Sequence, residues 1–365
     1  MFSKSLQNKG DYFEKALSFL LKSFVAQARH GSRNSINKKT RDMTKKIVGM
    51  ISSYTGLNPS PVDWLWQQTP HPFGVWGNIQ MLAKAEKPDF LLLYNFNSFP
   101  EEPRNTNWLN AQRQQKRYAE ETRSLQSKLR GVPQERTIFL MREPPLEEVV
   151  QKNIDFYEKA KPYCGHISGP DDFAPVPEYM PAIWYLTNPF HDLAEPYIPE
   201  KKKPCSWITS GINRTANHRK RLDFLKLLQS SHLDIDFYGR DLPDWADSKG
   251  AINNKWYGMA PYYYNLSIEN YADNDWYVSE KLWDSLLSWC LPIYYGGSAA
   301  DKLLPSGSYL RLPSLDEKGL QYIQEVTATP DAWYEAKDAI AEARRIILHK
   351  LNLMEWVSNF SKNFA

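Results

Sequence analysis

The chain has 365 residues, a net charge of +3 and 14% aromatic residues, and a chain of this length is expected to form two domains with a sizeable core. Its three cysteines are too few and too far apart for a disulfide framework or a structural zinc site, so we expect reduced thiols. No uninterrupted apolar run reaches the roughly 20 residues of a membrane-spanning helix.

Positive charge is concentrated at the start of the chain, where residues 1–50 hold 11 Lys/Arg against 3 Asp/Glu. We interpret residues 1–50 as a basic helical leader. Such a segment can lie on an anionic membrane, or it can be a solvated hairpin or a disordered arm. Because nothing resembles a signal peptide, we expect a cytoplasmic protein, with peripheral contact at the inner membrane face as the open alternative. No nucleic-acid-binding motif accompanies the basic residues, so nucleic acid is not an expected partner.

Residues 51–200 are predicted to form a first α/β domain, because short apolar runs alternate with stretches of helical spacing. The predicted strands are Pro88–Tyr94, Arg136–Met141 and Met180–Leu186, and the predicted helices are Trp76–Ala85, Ala111–Leu129 and Leu146–Ala160. The segment Asn188–Lys203, rich in Pro, Glu and Lys, is interpreted as a linker.

The same alternation restarts in residues 204–330, which predict a second Rossmann-like domain, and residues 331–365 are predicted to be helical. The predicted strands are Ser206–Thr209, Ile235–Gly239, Tyr262–Ile268, Leu291–Tyr295 and the edge strand Tyr309–Leu312, with a helix at Arg219–Leu228 and another that begins near Val278. Two parallel-sheet domains that face one cleft are therefore the expected fold.

The segment from Tyr262 to Gly297 is the most informative part of the sequence. It predicts a strand, a polar loop, a helix and a second strand, and such a βαβ unit presents its helix N-terminus at the carboxyl edge of a parallel sheet, where ligands bind. A lysine in the first helical turn, Lys281, is mildly unfavourable unless an anion lies nearby. Lys281, the free backbone N–H groups and the Ser279 hydroxyl together could hold a diphosphate.

These residues resemble the sugar-donor signature of glycosyltransferase family 10, the α-1,3/4-fucosyltransferases. The matching residues are Ile268-Glu269-Asn270, Tyr277-Val278-Ser279-Glu280-Lys281-Leu282 and Pro292-Ile293 with Gly296. Ile268 replaces the family's usual Phe and Ser279 its Thr, and serine keeps the hydroxyl. The resemblance implies a GT-B fold, GDP-fucose as the sugar donor and no required metal, with Mn²⁺ or Mg²⁺ at most stimulatory. Animal and plant members carry an N-terminal membrane anchor, and no apolar run of that length is found here. We therefore expect a member of the bacterial or viral type.

Several donor-binding roles follow from the resemblance. Arg221 stands seven residues before Leu228, as an arginine does in the family, and it is the preferred second phosphate ligand; Arg219 is the alternative. Glu280 would accept the ribose hydroxyls. Tyr277 and Asn270 would line the phosphate and sugar pocket, and Glu269 and Ser279 belong to the same motif.

The candidate general base is Glu143, which follows a predicted strand at the position where bacterial members carry their proposed base. Arg142 replaces the family's glycine, and two prolines follow. An arginine facing Glu143 would lower its pKa, but neighbouring strand residues point to opposite faces. A surface carboxylate at a strand end is the alternative interpretation.

The sequence thus predicts an inverting glycosyltransferase that moves L-fucose from GDP-β-L-fucose to a hydroxyl of a surface-polysaccharide or lipopolysaccharide type of glycan. Two alternatives stay open: a non-catalytic glycan- or membrane-binding protein of the same fold, and a transferase that uses another nucleotide sugar. The Asp234-Ile235-Asp236 triplet, which has the form of a metal-binding motif, is interpreted as structural.

Overall fold

The computed structural model describes residues 45–54, 64–103 and 108–364. Most of the predicted basic leader, residues 1–44, therefore lies outside the described residues, as does its predicted contact with a membrane. Its predicted end at residue 50 is wrong, because Lys46–Ser52 forms a strand inside the first sheet. No helix in these three ranges is long and apolar enough to cross a bilayer.

A seven-stranded sheet with strand order β2-β3-β1-β4-β5-β6-β7 organises the first half of the described chain. Its strands are β1 Lys46–Ser52, β2 Val75–Trp76, β3 Ile79–Met81, β4 Phe90–Tyr94, β5 Thr137–Leu140, β6 His166–Gly169 and β7 Val176–Pro177. Its helices are α1 Trp108–Leu129, α2 Val150–Ala160 and α3 Phe190–Ala194. All strand pairs are parallel except β2 with β3. The central strand β4 is buried along its whole length, as expected for a parallel strand covered on both faces.

A second sheet of five parallel strands, in the order β12-β11-β10-β8-β9, organises the second half. Its strands are β8 Lys203–Ser210, β9 Ile235–Arg240, β10 Tyr262–Ile268, β11 Leu291–Tyr295 and β12 Leu310–Arg311. The helices that follow are α4 Ala216–Ser230, α5 Glu280–Leu287, α6 Ala299–Leu303, α7 Glu317–Thr327, α8 Asp331–His349 and α9 Leu353–Lys362. Two parallel-sheet α/β halves confirm the predicted fold class.

Two predicted elements of the first half are wrong. Trp76–Ala85 is not a helix: Ile79, Met81 and Ala83 are buried at alternate positions, which is the period of a strand. The segment Met180–Leu186 is not a strand of either sheet. Its backbone groups are satisfied in other ways, since Gln68 donates to the Trp184 carbonyl at 2.9 Å and the Asp284 carboxylate accepts from the Tyr185 N–H at 2.8 Å.

The C-terminal helix α9 joins the two halves, although residues 331–365 were predicted only as a helical end. The Trp76 indole donates to Glu355 at 2.7 Å, and the Asn78 amide donates to the Ser361 hydroxyl at 2.9 Å. The Lys46 ammonium donates to the Ser361 carbonyl at 2.7 Å. The chain thus returns from the second sheet to pack on the first.

Candidate functional site

The cleft between the two halves lies at the carboxyl ends of the parallel strands, where ligands bind in α/β folds. A cavity of about 650 Å³ is lined by Tyr54, Arg142 and Glu143 from the first half and by residues of the β10–α5 segment from the second. An adjoining cavity of about 550 Å³ is lined by Arg221. The two cavities share five residues: Tyr185, Arg240, Asn270, Glu280 and Lys281. They therefore form one continuous cleft.

The N-terminus of α5 is held in place by a buried carboxylate. The Ser279 side chain caps the helix, and Glu269 accepts hydrogen bonds from the Ser279 N–H at 2.7 Å and the Ser279 hydroxyl at 2.6 Å. The Lys281 ammonium lies 3.3 Å from Glu269 Oε2 and 3.2 Å from the Ser279 hydroxyl. Glu269 has no exposed side-chain surface, so it supports the helix start from behind while Ser279 and Lys281 line the cavity.

Glu280 is surrounded by three cations. Its carboxylate lies 3.7 Å from the Lys255 ammonium, 4.0 Å from the Lys281 ammonium and 4.0 Å from the Arg142 guanidinium. Burial alone would raise the pKa of Glu280, but these cations outweigh burial and lower the pKa to about 2. Glu280 is therefore an ionised acceptor that lines both cavities.

Arg221 is a buried cation whose partners are neutral. On α4 it is only 4% exposed, and it donates to the Asn270 side-chain oxygen at 2.6 Å and to the Ser210 carbonyl at 3.0 Å. Its Nε has no hydrogen-bond partner among the described residues, and burial lowers its pKa to about 10. The alternative phosphate ligand, Arg219, is exposed, donates to the Asn213 carbonyl at 3.3 Å and lines neither cavity. The geometry thus favours Arg221.

The candidate base Glu143 lies on the opposite wall, three residues after the end of β5. The Tyr54 hydroxyl donates to its Oε1, and the Asn95 amide lies 3.5 Å from the same oxygen. Arg142 turns away from Glu143, donates to the Tyr94 hydroxyl and faces Glu280 instead. The sequence expectation that Arg142 and Glu143 point in different directions is confirmed.

Sequence reasoning missed three residues that line the cleft, Tyr54, Arg240 and Lys255, and it missed Asn95, which approaches Glu143. Lys255 donates to the fully buried Asp284 at 2.7 Å, and Arg240 lines both cavities without a side-chain partner among the described residues. Arg240 and Asn95 each directly follow a predicted strand, and their positions at the carboxyl edge could have identified them. Tyr54 and Lys255 come from segments that only the fold brings to the cleft.

Other predictions concern residues outside the cleft. Asp236 accepts from the Tyr262 hydroxyl at 2.6 Å and pairs with Lys203, which agrees with a structural role. The cysteines at 164, 205 and 290 are free and buried. Within the three described ranges, no group of three or more His, Cys, Asp or Glu side chains is arranged to hold a metal ion.

Two parallel-sheet halves that face one cleft are the GT-B architecture that the sequence predicted. Residues 198–335 match the family model for the C-terminal part of glycosyltransferase family 10 (fucosyltransferase). Residues 198–335 therefore carry the C-terminal domain of glycosyltransferase family 10, as the motif between Tyr262 and Gly297 predicted.

Curated relatives agree with this assignment. The chain is 29% identical over 153 residues to α-(1,3)-fucosyltransferase B of Drosophila melanogaster, which covers 38% of this chain and 31% of the relative. It is 38% identical over 137 residues to α-(1,3)-fucosyltransferase C of the same organism, over 36% of this chain and 30% of the relative. The matches thus span about a third of these relatives. A solved α1,3-fucosyltransferase structure aligns with a TM-score of 0.45 and 13% identity, over 90% of this chain and 92% of that one.

Proposed function

We propose that this protein transfers L-fucose from GDP-β-L-fucose to a hydroxyl group of a glycan, with inversion at the anomeric carbon. The acceptor is a glycan of the surface-polysaccharide or lipopolysaccharide type. The observation that carries the proposal is Arg221, a buried arginine with an unpartnered Nε that lines the same cavity as Lys281. A buried cation without a carboxylate partner is costly unless an anion completes its site.

The diphosphate is the anion that fits this wall. The unpartnered Nε of Arg221 can donate to one phosphate, while Lys281 and the N-terminus of α5 supply a second positive centre. Asn270 is already hydrogen-bonded to Arg221 and holds the guanidinium at the cavity. These groups would stabilise the negative charge that develops on GDP as it leaves.

Two carboxylates, Glu280 and Glu143, complete the proposed site, one on either side of the diphosphate. Glu280 stays ionised, and its carboxylate oxygens accept hydrogen bonds from the ribose hydroxyls beside Arg221 and Lys281. Glu143, on the opposite wall, takes the proton from the acceptor hydroxyl as its oxygen bonds to the anomeric carbon. The bond from that carbon to the β-phosphate breaks, and GDP departs from the opposite face of the sugar.

Isothermal titration calorimetry with GDP-fucose, GDP-mannose, GDP and UDP, each with and without Mn²⁺, tests the sugar-donor site. We expect GDP and GDP-fucose to bind without metal, and Arg221→Ala and Lys281→Ala each to weaken GDP binding by about tenfold or more, since each removes a charge-assisted hydrogen bond. Arg219→Ala is the matched control, because Arg219 lies on the same helix outside the cavities, and it should bind as the wild type does.

A second measurement separates binding from chemistry. Glu143→Gln should keep the affinity for GDP-fucose and lose transfer to a glycan acceptor, measured as GDP release. Binding of UDP in preference to GDP would instead show that the cleft serves another nucleotide sugar. A protein that binds no nucleotide at all would overturn the proposed function.

A further inference from the structure

The segments that follow three neighbouring strands of the first sheet meet around the carboxylate of Glu143. Ser52 of β1 is in register with Tyr94 of β4, and Tyr94 is in register with Leu140 of β5. The residues that follow these strand ends are therefore side by side at the carboxyl edge. Tyr54 follows β1, Asn95 follows β4 and Glu143 follows β5.

Both neighbours bind the same oxygen of the carboxylate. The Tyr54 hydroxyl donates to Glu143 Oε1, and the Asn95 amide approaches that oxygen at 3.5 Å. Among the described residues, no side chain donates to Glu143 Oε2. The carboxylate therefore has one oxygen occupied by the protein and the other available to a ligand in the cleft.

The backbone around these groups is fixed. The Tyr54 N–H donates to the Ser52 hydroxyl at 3.1 Å, which holds the turn after β1. Asn95 has a φ of 49°, in the left-handed region, and its N–H donates to the Leu140 carbonyl at 2.7 Å. The Asn95 side-chain oxygen accepts from the Arg142 N–H at 3.2 Å. The end of β5 is thus tied to β4 immediately before Glu143.

We propose that Tyr54 is a positioning residue for Glu143: its hydroxyl occupies Oε1 and leaves Oε2 free to accept the proton of the acceptor hydroxyl. This inference rests on the proposed function, in which Glu143 is the base. Tyr54 therefore fixes the orientation of the base.

The surrounding charges are consistent with this role. Burial and the Glu143 carboxylate raise the pKa of Tyr54, so its hydroxyl remains a donor throughout the physiological range. Tyr277 faces Glu143 across the cleft, and burial, with Glu269, Glu280 and Glu143, also raises its pKa. Tyr185 and the Arg142 guanidinium are the remaining titratable groups near Tyr54. Neither donates to Glu143, so the phenol of Tyr54 is the strongest donor to this carboxylate.

Kinetics of Tyr54→Phe provide the first test. Loss of the hydroxyl should lower kcat by roughly tenfold, because the loss of one charge-assisted hydrogen bond that orients the base costs about that factor. The KM for GDP-fucose should change little. Tyr197→Phe is the matched control, since Tyr197 is 70% exposed and outside the cleft. A Tyr54→Phe enzyme with the wild-type kcat, or one in which the KM for GDP-fucose rises as much as kcat falls, would overturn the role of Tyr54.

A spectroscopic titration tests the contact without relying on transfer. With 3-fluorotyrosine incorporated at position 54, the fluorine NMR signal should shift as the carboxyl of Glu143 ionises, and Glu143→Gln should abolish that shift. A signal that does not titrate, or that titrates equally in Glu143→Gln, would show that the contact is absent. A titrating signal in a protein that transfers no fucose would refute the proposed function, and the role of Tyr54 with it, while the contact itself would stand.

Discussion

The guanidinium of Arg142 lies 4.0 Å from the carboxylate of Glu280 and links the two walls of the cleft. Arg142 precedes the candidate base on the first half, and Glu280 precedes the candidate phosphate ligand Lys281 on the second. Arg142 is buried, and its second partner is the Tyr94 hydroxyl. This pair therefore links the position of the candidate base Glu143 to that of the candidate phosphate ligand Lys281.

A double-mutant cycle with Arg142→Met and Glu280→Gln measures that link. Each single variant should be destabilised, because it leaves the partner charge without part of its compensation in a largely buried site. We expect a coupling energy of about 1–2 kcal/mol in the free energy of urea unfolding, since the effects of mutations within one ion-pair network are not additive. Additive single effects would show that the two walls are not linked through this pair.

The pH dependence of stability should reveal the ionisation of Glu280. Its pKa is lowered from 4.5 to about 2, so the stability that its charge contributes is present above about pH 4.5 and is lost as the pH falls toward 2. Wild type and Glu280→Gln should therefore differ by on the order of 2 kcal/mol in unfolding free energy at pH 6, and by progressively less between pH 4.5 and 3. A difference that is constant from pH 6 to pH 3 would contradict the lowered pKa.

The buried carboxylate of Glu269 should matter for both stability and affinity. Its oxygens accept from the Ser279 N–H, the Ser279 hydroxyl and the Lys281 ammonium. In Glu269→Gln one oxygen becomes an amide nitrogen that cannot accept, so we expect a loss of about 1–3 kcal/mol in unfolding free energy and weaker GDP binding. Glu317→Gln is the matched control, because Glu317 is an exposed glutamate in the first turn of α7. Equal stability of both variants would refute the supporting role of Glu269.

The sequence predicted the second half of the fold better than the first, and the reason is physical. Strands β10 and β11 have the predicted bounds because each is a short apolar run stopped by polar or glycine residues. Strand β1 was missed because it begins at the end of the basic stretch 38–46 and was counted with the leader. Trp76–Ala85 was interpreted with the wrong period, and Met180–Leu186 makes hydrogen bonds with side chains that are 116 and 99 residues away in the sequence.

The candidate site divides in the same way. The residues between Glu269 and Lys281 lie in one local βαβ unit, so a sequence motif is enough to predict that they meet. Tyr54 and Lys255 reach the cleft only through the register of strands and the packing of loops, which a sequence pattern does not reveal. Glu143 was predicted from its place at a strand end, but the two neighbours that fix its carboxylate come from other strands.

Arg240 is an exposed cation at the carboxyl end of β9. It lines both cavities of the cleft and a third, adjoining cavity of about 460 Å³, and no described residue accepts a hydrogen bond from its side chain. Since Arg240 is exposed and makes no such contact, Arg240→Gln should leave the unfolding free energy within about 0.5 kcal/mol of the wild type. The same change should weaken GDP binding by roughly three- to tenfold, because a positive charge is lost beside the proposed phosphate ligands Arg221 and Lys281.

The matched control is Arg113→Gln, because Arg113 is an exposed arginine of α1. This variant has the same change in net charge and should bind GDP as the wild type does. Calorimetry with GDP measures both, and equal affinities for the two variants would exclude Arg240 from the sugar-donor site.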